Sequence, residues 1–153
     1  MTTAVTRSRT VTARITTPNT PDPTPAPGGV FTVTVYMNID PHHFGGYQPG
    51  HPLAAATRPD GSPLRLVFHT STRIHDHEAA ADAAYAVGNR QRADDHGRTW
   101  PSDIRPVSVG DVIKVTGPDH WILHLSVDPT GFSTVPEPTH LTGLTGTRAT
   151  SRR

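Results

Sequence analysis

The 153-residue sequence predicts a small α+β domain: a mainly antiparallel sheet in the order β-β-α-β-β-β, one packed helix, and disordered arms at both ends. Three observations carry that expectation. One stretch alternates apolar and polar residues with period two, one stretch alone has helical spacing with start and stop signals, and three apolar runs near the C-terminus are joined by very short turns. A partly closed small barrel is the competing architecture.

The elements follow in order. "GVFTVTVYMNI" places Phe31, Val33, Val35 and Met37 on one side and Thr32, Thr34, Tyr36 and Asn38 on the other, a strand with one buried face. Turn residues crowd "DPHHFGGYQPGHP", so 40–52 reads as a long loop. "LRLVFHT", introduced by "PDGSP", is the second strand, with Leu64, Leu66 and Phe68 sharing a face. Asp76 is positioned to cap a helix over "HEAAADAAYAVGN", Glu78 and Asp82 favour its positive end, and Gly88-Asn89 is the stop. The stripe Ala80, Ala83, Ala84, Val87 suits close packing on a sheet. After the irregular segment from Arg90 to Arg105, "DVIKVT", "HWILHLSV" and "GFSTV" form a meander through the turns "GPD" and "DPTG".

Composition sets the domain limits. Counting the 13 glycines, the apolar share is about 41%, below the roughly 45–50% of folded domains. The deficit lies at the ends. "TTPNTPDPTPAPGG" excludes helix and ladder, and "EPTHLTGLTGTRATSRR" has few apolar anchors, so 1–29 and 137–153 read as disordered arms around a single domain at 30–136. The net charge of +1 divides unevenly: residues 30–136 carry 8 bases and 11 acids, while Arg7, Arg9, Arg14, Arg148, Arg152 and Arg153 lie in the arms. A folded nucleic-acid reader shows the reverse arrangement. Cysteine is absent, which excludes disulfides, thiolate metal sites and cysteine nucleophiles. No run of 18 apolar residues exists, so the expectation is a cytoplasmic protein without a membrane partner.

Ten histidines invite a metal reading centred on His75, His77 and Glu78, with His42, His43 and His51 in the nearby loop. Residues i and i+2 of a helix diverge by about 200°, and no H-E-x-x-H spacing occurs, so surface histidines without a cofactor are the preferred reading. No G-x-S-x-G accompanies Ser108 or Ser126. "SVGD", 108–111, reads as a turn: Ser108 bonding local backbone, Val109 packing inward, and the Asp111 carboxylate accepting amides beside Gly110. Period two puts Trp121 and Leu123 on one strand face and His120, Ile122 and His124 on the other, with Trp121 and Phe132 read as core. An exposed Trp121 would instead suit nucleobase stacking.

The helix ending "AVGN", then "IRPVSVGDVIKV", an aromatic strand and "SVDPTGFSTV" resemble the YodL-like domain family of bacterial plasmids, phages and conjugative elements, including many small actinobacterial proteins. The likeness spans 79–135, and Arg105, Ser108, Val109, Gly110, Asp111, Val112, Ile113, Asp128, Gly131 and Phe132 occupy its signature positions. Pro106 and Val107 depart from it where the family tends to Ser and Leu, and Trp121 where it often has Tyr. The resemblance implies a mobile-element accessory protein with motif positions that constrain the fold and no catalytic residues to carry over. The leading expectation is a non-enzymatic protein-interaction module that uses a strand edge or a surface including Arg90, Arg92, Trp100 and Trp121. The alternatives are a nucleic-acid-associated accessory protein using the basic arms, and a metal-dependent enzyme at His75, His77 and Glu78.

Overall fold

The computed structural model describes residues 29–142. Of the expected arms at 1–29 and 137–153, residues 1–28 and 143–153 lie outside the described residues. The fold is α+β, as the patterning predicts. Its elements are β1 (Val30–Asn38), a 3-10 turn (His43–Gly45), β2 (Leu53–Ala55), β3 (Leu66–His69), α1 (His77–Gly88), β4 (Val112–Thr116), β5 (Ile122–Asp128), β6 (Gly131–Val135) and β7 (Leu141–Thr142). All strands join one sheet in the order β6-β5-β4-β1-β2-β7, with β3 also paired to β1. Every pairing is antiparallel except that of β2 with β7.

β1 is the centre of the sheet. Its Thr32–Tyr36 stretch pairs with β4 on one side. On the other side its first half pairs with β3, Val33 opposite Leu66, and its second half with β2, Asn38 opposite Leu53. β2 and β3 are thus one neighbouring strand, interrupted by an excursion around "PDGSP" that the Arg58–Ser62 and Gly61–Arg58 backbone bonds close. Sequence patterning finds the β3 half of it and not "LAA", which has no β-branched residue and no alternation to mark it. Leu141–Thr142 is a second correction. These two residues lie beyond the expected boundary at 136, yet β7 runs parallel to β2, and the Leu53 amide donates to the His140 carbonyl at 2.9 Å.

The main core fills the space between α1 and one sheet face. Phe31, Val33, Val35 and Met37 of β1 meet Leu66, Phe68, Ile113, Val115, Leu125 and Val127 there, and Ala80, Ala84 and Val87 close it from the helix. The alanine stripe is fully buried, because only small side chains let the helix backbone approach the strands this closely. Asp76 caps α1 by accepting the Ala79 amide at 2.7 Å. At the other end Arg90, at φ +61°, takes the left-handed position of a Schellman motif, with the Arg90 amide bonded to Val87 and the Gln91 amide to Ala86. The preceding Gly88 has no room for a Cβ against Val107.

The opposite sheet face is not simply polar. The 39–52 loop, closed by the bond from the Ile39 amide to the Pro52 carbonyl, folds back over it. Tyr36, Leu53 and Val112 form a second small cluster with Tyr47, Ala55 and Val135. Asn38, read as the outer side of the strand, is 2% exposed for this reason.

Candidate functional site

The residues around "SVGD" converge on one buried carboxylate. The Asp111 side chain has no exposure. Its Oδ1 accepts the Asn38 amide at 2.8 Å and Arg105 Nη2 at 2.7 Å, and its Oδ2 accepts the Ser108 amide at 2.8 Å and Arg105 Nη1 at 2.8 Å. Arg105 supplies the planar fork that a carboxylate matches, then bonds Ser108 Oγ and the Asn38 and Pro106 carbonyls as well. Asn38 Nδ2 donates to the Gly110 carbonyl at 2.9 Å and also meets His51 Nδ1. His43 Nδ1 donates to the Val109 carbonyl. Gly110 is obligatory: its φ is +96°, and a Cβ would stand 2.5 Å from the His43 carbonyl. The four acceptor directions of Asp111 are occupied by fixed donors, leaving none for a substrate proton. The cluster locks the end of β1, the 39–52 loop and the start of β4 together. Val107, 2% exposed, is the inward valine of this turn, while Val109 is only half-buried, because the positive φ of Gly110 reverses the chain between them and β4.

A second carboxylate closes an edge. The Asp94 side chain is likewise buried and accepts the amides of Val67, His96 and Arg98 plus Arg98 Nη1. Burial acts to raise its pKa, but these donors outweigh it and hold the carboxyl below its usual value. Next to it, Asp95 accepts the His69 amide at 2.7 Å and donates its own amide to the Val67 carbonyl. The backbone groups on the outer side of β3 are therefore taken by the 94–95 loop. Sequence reading passes over Asp94 and Asp95, although "DDHG" is a turn sequence with two acceptors.

Of the surface expected at Arg90, Arg92, Trp100 and Trp121, three residues are exposed and Trp100 is not. Trp100 is a correction: it is 4% exposed, part of the main core, and its indole N–H donates to the Arg105 carbonyl at 2.8 Å. A large ring three residues past the 94–97 turn has the main core directly beneath it. Arg90 is engaged with the Pro101 and Ile104 carbonyls, and Arg92 lies over the Phe68 ring and pairs with Asp95. Trp121 is the opposite correction: strand periodicity places it in the core, and it is 46% exposed. It stands in the turn before β5, where His120 at φ +69° breaks the alternation. Its ring meets that of His77 at 5.3 Å, and its carbonyl accepts from His77 Nε2 at 2.7 Å.

That bond fixes His77 for structure rather than coordination. Burial lowers its pKa, only partly offset by the Trp121 carbonyl and by Asp119 and Asp76. His75 is exposed beside Asp76. Among the described residues no group of three or more His, Asp or Glu side chains could hold a metal ion, so His75, His77 and Glu78 are not brought together as ligands. No helix of the described residues is long and apolar enough to cross a membrane.

Among the described residues the sheet ends in two strands, the two-residue β7 and the five-residue β6. Val127 of β5 donates its amide to the Asp111 carbonyl and accepts the Gly110 amide, both toward β4. Across from it, the Val127–Phe132 pair is therefore the non-hydrogen-bonded kind. Phe132 aims its own N–H and C=O away from β5, and Thr134, two residues on, repeats the arrangement. Asp128, Gly131 and Phe132 thus shape an edge: the Asp128 carboxylate accepts from Ser126 Oγ on its own strand and from Ser133 Oγ across the hairpin, and the Phe132 ring packs edge-on against Tyr85 of α1. No family model, curated protein or solved structure matches the chain.

Proposed function

We propose that this chain is a non-enzymatic protein-interaction module of the YodL-like kind, a cytoplasmic accessory protein of a bacterial mobile element, that accepts an extended partner segment as an added strand beside β6. The observation that supports it most is the unequal treatment of edges. The outer side of β3 is closed by Asp94 and Asp95, and β2 is covered by the two-residue β7, while the five uncharged residues Gly131–Val135 include no lysine or proline and pair, among the described residues, with β5 alone. Exposed edges of that kind are templates for strand addition.

The test uses the outward geometry. Thr134→Pro removes an edge donor without taking a bond from the β5–β6 ladder. A partner retained by the wild-type chain is expected to be lost by Thr134→Pro at unchanged melting temperature. Retention of every partner by the variant would overturn the reading, as would turnover of a defined substrate with no partner bound.

Exposure of Trp121 favours one further reading, a nucleic-acid-associated protein that stacks a base on that ring while the basic arms contact phosphates. Asp119 and Asp76 lie against the same site and repel phosphate, which makes this the weaker reading. A mobility shift on single-stranded DNA that salt reverses and Trp121→Ala abolishes would support it.

A further inference from the structure

The helix beside the open edge is acidic. A hollow between α1 and the β5–β6 hairpin is lined by Glu78, Ala79 and Asp82 on the helix and by Thr130, Gly131 and Phe132 on the hairpin. Among the described residues neither Glu78 nor Asp82 has an ion-pair partner, whereas Asp94 and Asp111 are both paired with arginine. Phe132, whose ring packs edge-on against Tyr85, gives the hollow an apolar wall. A strand added outside β6 sends alternate side chains to the helix side of the sheet. Those side chains arrive beside Glu78 and Asp82.

We infer that the segment accepted by β6 is an extended stretch of a partner polypeptide carrying lysine or arginine at alternate positions, with its backbone on Phe132 and Thr134 and its cations facing Glu78 and Asp82. The inference rests on β6 being the binding edge and adds the chemistry of the partner. Charge complementarity selects this occupant over a second copy of the chain. Two β6 strands paired about a two-fold axis would bring both α1 helices to the same face of the joined sheet, with like charges opposed across the seam.

The experiment titrates the full chain with three short synthetic peptides: alternating lysine and valine, the same with glutamate for lysine, and the lysine peptide with proline at every second position. The lysine peptide is expected to bind about tenfold or more tightly than the glutamate peptide, and to weaken as salt rises from about 50 to about 500 mM. The proline peptide should not bind. Glu78→Gln with Asp82→Asn is expected to remove most of the charge preference, and Thr134→Pro all binding. Equal affinity for lysine and glutamate peptides overturns the charge inference and leaves the edge reading intact. Failure of every peptide to protect the Phe132 and Thr134 amides from exchange overturns both. Protection of those amides in the chain alone also overturns the inference: independence of concentration assigns the edge to the chain's own segments, and dependence on it assigns the edge to a second copy.

Discussion

Asp111 and Arg105 form a pair whose two members differ in access to water. The Asp111 side chain has none, while that of Arg105 keeps 36% of its exposure. Removing one partner of a buried pair costs about 3–5 kcal/mol, because the survivor is left charged and unsolvated. Arg105→Ala is therefore expected to lower the unfolding free energy by about that amount. Asp111→Asn should cost less, since the guanidinium it releases can rehydrate. Urea midpoints of the two variants rank them, and equal losses would show that the fork contributes nothing beyond its local turn. Arg105→Lys should not rescue, as an ammonium cannot reach both carboxylate oxygens together with the Asn38 carbonyl.

Among the elements, α1 and β3 are the two whose sequence choices have the sharpest consequences. Ala84 is fully buried between helix and sheet. Ala84→Leu adds three carbons where the backbones already touch, so a loss of about 1–3 kcal/mol is expected, read from the thermal midpoint. For β3 the vulnerable point is its cover. Asp94→Ala takes the acceptor from the Val67, His96 and Arg98 amides and loosens the loop that closes this edge. Concentration-dependent association should rise in that variant, seen as a growing high-mass fraction in light scattering. Association equal to wild type would show that the Asp95 backbone alone keeps the edge shut.

At the scale of the molecule, stability is expected to fall as the solution is acidified, in two stages. His77 and His124 are both held below their ordinary value of 6.5, each first by burial, with Lys114 acting the same way on His124. Their unfolded forms bind protons more readily, so the stability they contribute is complete above 6.5 and declines as pH drops through 6.5 toward their folded values. Asp94 adds a later loss, because its lowered pKa contributes stability that is present above 3.8 and disappears below it. Urea midpoints measured from pH 8 to pH 3 check both stages, and a midpoint flat between about 7.5 and 5.5 would contradict the histidine part. The central strand makes the whole cooperative. β1 pairs at once with β3 and with β4, which lies on the far side of the helix in sequence, so loss of either pairing uncovers the same core.

Much of this architecture was legible in local pattern. Alternation over 30–38, the Asp76 cap, the alanine stripe and the turns at 117–119 and 128–131 are signals that a few neighbouring residues generate and that tertiary contacts then use unchanged. The turn at "SVGD" also belongs here, since Gly110 and Asp111 are dictated by a backbone reversal. Three-residue "LAA" and two-residue "LT" were not legible, because strands so short exist only through their partners across the sheet. The same holds for the two tryptophans. Trp100 sits in a polar segment and is drawn into the core, whereas Trp121 sits in an apolar run and is turned out by His120. Local propensity therefore settled which elements form and where they begin, through dihedral and capping preferences carried within each segment. Which edge stays open, which carboxylates are buried and which rings meet water depend on residues distant in the chain, and packing alone decided them.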